Sequence, residues 1–212
     1  MKQKVYAAPS FYVFWAVFCL LDEEGVMPLF LFAAGIHELG HAAAIYLCGG
    51  RIDGICLCIT GAVLKQGRCL GYGQECLIAL AGPAAGLAAA WLFSAAGYPM
   101  MAGANLLLSV FNSLPILPLD CGCAVKSLIC LLPSGAADTG QRLLALCSVA
   151  AATALTAFGA ALLVYTGQNA SALAAGGFLL FANMAFLRNP SKYGMMELNH
   201  TGCLSGSRWK QR

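Results

Sequence analysis

Charge is what this sequence has least of. Of its 212 residues only 10% are Asp, Glu, Lys or Arg, where a soluble domain carries about a quarter. That scarcity excludes a water-soluble enzyme and a charge-rich disordered regulator. The net charge of +3 is too small and too scattered for a surface that tracks phosphates, so nucleic acid is not a partner. Histidine is scarcer still, with three in the chain. Internal repeats and a separate soluble domain are lacking. Cysteine is not short, at eleven, but the count is odd and no pair of CxxC motifs has zinc-finger spacing. Cys19, Cys48, Cys76, Cys130 and Cys147 lie in or beside apolar runs, where a thiol behaves as a small hydrophobe.

What is present in excess is apolar length. Hydrophobic residues make up 60% of the chain and the mean hydropathy is +0.76. The chain has room for about six membrane-spanning helices of ~20 residues, and the apolar runs fall at residues 5–21, 27–48, 75–97, 100–132, 143–165 and 170–187. The expected fold is an all-α polytopic membrane protein. The first run ends in Asp22-Glu23-Glu24 rather than in a small-residue cleavage pattern, so it reads as a retained helix. Basic residues set the orientation. Lys2 and Lys4 precede the first run, and Arg51, Lys65 and Arg68 follow the second. Arg142 opens the fifth, while Arg188, Lys192, Arg208, Lys210 and Arg212 follow the sixth. Both termini are then expected on the cytoplasmic side.

Three segments depart from a plain bundle. Residues 49–73 are long for a connection, and Ile55, Leu57 and Ile59 alternate there with Cys56 and Cys58. A turn at Thr60-Gly61 makes a membrane-associated β-hairpin, whose backbone at membrane depth must line a sheltered cavity. Pro115 and Pro118 break the fourth run. Residues 188–212 are polar and basic and read as a cytoplasmic tail behind a transmembrane domain at 1–187, with its core at 27–132.

The chemistry sits in the second run. His37-Glu38-Leu39-Gly40-His41 is an HExxH pattern. Positions four apart on a helix are separated by ~40° around the axis and ~6 Å along it, so both imidazoles reach one Zn²⁺. Glu38 between them is placed to take a proton from a water at the metal. With three histidines and five glutamates in the chain, chance gives this pattern about once in a thousand such sequences. Helix packing through an intramembrane polar group is worth ~0.6 to 2 kcal/mol. A charge at that depth costs about 3 kcal/mol, so packing alone does not account for three polar groups together. Zinc ligation, which exceeds ~10 kcal/mol, does.

A catalytic zinc needs a third protein ligand and one open position. His200 lies in the polar tail, whereas Asp120 is the acid within the fourth run. It follows Asn112-Ser113-Leu114-Pro115-Ile116-Leu117-Pro118-Leu119, whose prolines open the helix before it. Asn112 is placed to donate its amide to substrate or to a developing oxyanion. Gly82-Pro83-Ala84-Ala85-Gly86 is a GxxxG pattern and reads as a helix-packing element.

With these motifs in their order, the sequence resembles the site-2 protease family of intramembrane zinc metalloproteases. His37-Glu38-Leu39-Gly40-His41 and Asn112-x-x-Pro115-x-x-Pro118-Leu119-Asp120 carry the resemblance, with Ala79-Leu80-Ala81-Gly82-Pro83 between them. The order and spacing of these motifs resemble those of the group that processes a membrane-bound sigma-factor precursor in sporulation. The resemblance implies one zinc per chain on His37, His41 and Asp120, Glu38 as base, and a membrane protein substrate such as a sigma-factor precursor. It also implies a regulatory membrane partner and a bacterial cytoplasmic membrane. Two departures stand out: Cys121 separates Asp120 from Gly122, where the family carries glycine directly after the aspartate, and no regulatory nucleotide-binding or PDZ module is present. The rival readings are a zinc-binding scaffold without activity, which leaves Glu38 unexplained, and a metal or proton transporter, which usually shows paired broken helices.

Overall fold

A computed structural model describes residues 4–7, 9, 11, 12, 16, 25–58, 61–67, 70–166 and 171–188. The described chain is mostly helical and divides into two compact units, Met1–Asn112 and Ser113–Arg212.

In the first unit, α1 (Met27–Leu47) carries Pro28 in its first turn, where a missing N–H costs nothing. It stops at Gly49, whose φ of 74° is open to a residue without Cβ. The N–H of Gly50 then donates to Ile45 O at 2.8 Å and that of Gly49 to Tyr46 O at 3.0 Å, which caps the freed carbonyls. At the start of α2 (Tyr72–Ala95), the Gln74 side chain accepts from Gly71 N and donates to Cys48 O at 3.1 Å. One amide thus fastens the start of α2 to the end of α1. After α2, α3 (Pro99–Asn112) packs back on it.

Among the described residues, three strands complete this unit. β2 (Ile52–Cys58) is central; β3 (Gly61–Gln66) pairs antiparallel with it, with Ile55 opposite Leu64 and Cys58 opposite Gly61. β1 (Lys4–Ala7) lies parallel on the other side, with Lys4 opposite Gly54 and Ala7 opposite Leu57. This corrects the expectation of a helix from residue 5. Val5 and Tyr6 suit an extended chain, and the edge of β2 gives their backbone groups partners. Most of the remaining first run, the turn residues 59 and 60, and the tail at 189–212 with His200 lie outside the described residues. Ile45, Ile52, Leu70 and Ile78 form the buried cluster that joins α1, the sheet and α2.

In the second unit, residues 113–119 lead into α4 (Asp120–Ile129), α5 (Ser134–Thr166) and α6 (Ser171–Arg188). The fourth run, expected as one broken span, is therefore two separate helices, α3 and α4. Pro115 and Pro118 have no N–H to continue a ladder, and each biases the residue before it away from helix. At 14 and 10 residues these helices are about 21 and 15 Å long, short of the ~30 Å hydrocarbon core. α5 begins nine residues before the apolar run that revealed it, since a helix continues through Ser134 to Arg142 without needing an apolar face. It crosses α6 closely: a Cβ on Gly159 would meet Ala172 C at 2.7 Å, and one on Gly176 would meet Thr156 Cα at 2.7 Å. Among the described residues, α1, α2 and α5 are long and apolar enough to span a membrane, and α6 holds a shorter apolar stretch, Ala172–Met184.

Candidate metal centre

His37 and His41 lie one turn apart on α1 with their rings edge to face, centroids 4.8 Å apart. Their Nε2 atoms are 3.1 Å apart. Two imidazoles sharing a tetrahedral zinc at ~2.05 Å place their ligating nitrogens about 3.3 Å apart, so the pair already stands at ligand spacing. His37 is buried, at 6% exposure, and His41 half-buried.

The tautomer of His41 follows from its other nitrogen. Nδ1 is 2.7 Å from Ile78 O on α2. A carbonyl only accepts, so Nδ1 carries the proton and Nε2 presents its lone pair, the form that binds metal. This contact needs α2 to run close to α1, and Gly40 supplies the closeness. A Cβ on Gly40 would stand 2.6 Å from Ala85 Cβ and 2.7 Å from Ala81 O. Pro83, inside α2, denies Ala79 O its helical partner in the same stretch.

Gly82 lies across from the two imidazoles. A Cβ there would collide with His41 Nε2 and stand 2.6 Å from His41 Cε1 and 2.9 Å from His37 Cε1. The hydrogen of Gly82 therefore leaves open the space in front of both ligating edges. Sequence reasoning gave Gly82 and Gly86 one packing role; the structure separates them. Gly86 faces Ser109 on α3, whose Oγ a Cβ would strike, and is the packing glycine. Gly82→Ala is expected to abolish zinc retention while costing ~1–3 kcal/mol in stability as an overpacked site. Metal analysis beside a thermal melt of the same sample checks it, and Gly86→Ala is the comparison that disturbs packing alone.

Glu38 follows His37 on α1 and is half-buried. Asn112 ends α3, and its Nδ2 donates to Leu108 O at 3.1 Å, which commits one of its two amide hydrogens to its own helix. Asp120 opens α4 in the second unit, also half-buried, in the first turn of that helix. Cys121 and Cys123 lie in the same turn, neither in a disulfide, and Cys123 Sγ is 3.6 Å from Pro118 O. The Ile78 carbonyl was beyond sequence reasoning, because every residue has one. Gly82 was within it, as the glycine of a Gly-Pro pair facing a two-histidine helix.

One buried and one half-buried imidazole, paired at ligand spacing on a membrane-length helix with a glutamate next in sequence, are the donor pattern expected of a membrane-embedded metallohydrolase. Comparison with known proteins gives the family. Residues 11–132 match the family model described as Peptidase M50B-like, more than half of the chain. The fold is similar to that of the site-2 protease from Methanocaldococcus jannaschii, at a TM-score of 0.65 and 19% identity over 85% of this chain and 89% of that one. No curated protein matches by sequence. The chain belongs to the M50B-like peptidases, the site-2 protease family. It is accordingly a metalloprotease and an integral membrane protein, of a family whose substrates are membrane proteins.

Proposed function

We propose that this chain is an intramembrane endopeptidase in which His37, His41 and Asp120 hold one zinc ion and Glu38 is the general base. The observation that carries the reading is the His37–His41 pair: ring nitrogens 3.1 Å apart, one tautomer fixed by Ile78 O, and an open space guarded by Gly82. Two neutral imidazoles and one carboxylate are also a donor set that zinc enzymes use. When bound, the ion supplies Lewis acidity, which polarises a peptide carbonyl and acidifies a water.

The chain's own residues do the rest. Glu38 accepts the proton of the attacking water and returns it to the leaving amine. Asn112, with an amide hydrogen beyond the one given to Leu108 O, donates to the developing oxyanion. A helical substrate hides its carbonyls in internal hydrogen bonds, so it must be held extended. β1 covers the inner edge of the β2–β3 hairpin, and the hairpin's outer edge, on β3, takes an unwound segment as an added strand. Both termini and the basic connections lie on the cytoplasmic side in this reading, so water enters from that side. The resemblance to the sporulation group makes a membrane-tethered sigma-factor precursor the first substrate to assay.

The test is metal analysis of the full chain in detergent, beside co-expression with a single-span substrate tagged at both ends. About one zinc per chain and a released fragment are expected. Asp120→Asn is expected to weaken zinc retention by more than the ~10–100-fold typical of outer-shell changes, because an amide is a poorer ligand. If Cys121→Gly proves the more damaging, the third ligand is the thiol. Zinc-dependent ion flux in vesicles without cleavage overturns the protease reading.

A further inference from the structure

The seven residues between α3 and α4 form no regular element, yet Ile116, Leu117 and Leu119 are buried. Irregular backbone in apolar surroundings must find partners for each N–H and C=O. Some are local: Ile116 N–H donates to Leu114 O at 2.8 Å and Leu119 N–H to Ile116 O at 2.8 Å. Leu117 is different, since both its backbone groups are taken by side chains far along the chain. Its N–H donates to Ser148 Oγ on α5 at 3.1 Å. Its C=O accepts from Asn183 Nδ2 on α6. The same Nδ2 donates to Leu179 O at 2.8 Å, which fixes the amide on its own helix. Ser148 and Asn183 are 0% and 2% exposed, so neither has water as an alternative.

From Leu117 to Asp120 the path is short and has little freedom. Pro118 has its φ set by the ring. Leu119 N–H is held by Ile116 O, and Leu119 O accepts from Cys123 N–H at 2.9 Å. Gly122 closes the grip from the far side of Asp120. A Cβ there would stand 2.6 Å from Ile116 C and 2.8 Å from Leu117 N, so the first turn of α4 lies flush on the same backbone.

We propose that Ser148 and Asn183 are positioning residues for Asp120, clamping the Leu117 backbone from α5 and α6 so that the carboxylate is presented at a fixed place. The proposal rests on the reading that Asp120 is a zinc ligand. It gives the C-terminal helix pair, which carries no residue of the HExxH or Asp120 motifs, a direct part in metal affinity.

The experiment uses the full chain in detergent and reads two quantities: zinc affinity by competition with a chromogenic chelator, and thermal unfolding of the metal-free protein. Ser148→Ala and Asn183→Leu are each measured alone and combined with Asp120→Asn. Thr156→Val, which removes a hydroxyl bonded at 2.7 Å to Ala152 O on the same helix pair, is the packing control. Each clamp variant is expected to lose ~10–100-fold in zinc affinity, as outer-shell partners do, and to cause no further loss once Asp120 is Asn. Thr156→Val is expected to change only the melt. A clamp variant that melts lower but keeps wild-type zinc affinity overturns the proposal, as does an equal loss with and without Asp120. If Asp120→Asn by itself leaves zinc affinity unchanged, the ligand assignment falls and the clamp falls with it, by a separate measurement. Should Ser148→Ala fail to fold, Ser148→Cys keeps the volume with a weaker acceptor and is judged by the same two outcomes.

Discussion

Glu38→Gln is expected to keep the zinc and lose the cleavage. The substitution preserves shape and nearly all packing on α1, and leaves the two imidazoles and the Ile78 carbonyl untouched. What it removes is a carboxylate able to accept a proton, and general-base loss costs ~10² to 10⁴ in rate. The measurement is the yield of fragment from a doubly tagged single-span substrate, with zinc determined on the same preparation. Wild-type yield from the Gln variant would refute Glu38 as the base. A scaffold or a transporter predicts no such separation of metal from activity, so this one variant distinguishes the enzyme from both rivals.

The second large effect is on the metal itself. His37→Ala or His41→Ala leaves one imidazole where there were two at ligand spacing, and zinc is expected to fall from about one per chain to near background. Structural zinc sites contribute ~10–16 kcal/mol, so losing one of three ligands takes binding below what survives purification. His41 has a further partner in Ile78 O. His41→Ala therefore also leaves that carbonyl without its donor and is expected to melt below His37→Ala. Undiminished zinc in the double variant would refute the site.

Much of the proposed centre was legible because its chemistry is local in sequence. HExxH needs only one helix turn, and Asp120 stood out as an acid behind two prolines in an apolar run. The strand at Lys4–Ala7 was not legible. Val5 to Ala7 continue into an apolar stretch that reads as helix, and their pairing with Ile55 to Leu57 depends on residues some fifty positions away. The fourth run misled for a related reason: hydropathy sees a largely apolar run of 33 residues, but backbone donors decide whether a helix runs through them, and two prolines remove those donors. Ser148 and Asn183 carried no signal at all. A lone Ser or Asn in an apolar helix has the look of any interhelical hydrogen bond, and only the fold shows that both reach the same residue.

The length of α5 has a consequence for where the protein works. Its 33 residues span about 50 Å, well beyond a ~30 Å hydrocarbon core. The polar beginning, from Ser134 to Arg142, therefore stands in the headgroups or in water, and the apolar remainder still exceeds a thin bilayer. Such mismatch is met by tilt or by local thickening of the lipid, at a fraction of a kcal/mol per Å. Because Ser148 lies near the start of that apolar remainder, acyl-chain length acts on the same helix that holds Leu117. Membrane thickness is thus a physical variable of this protease, set by the lipids of whichever compartment it occupies.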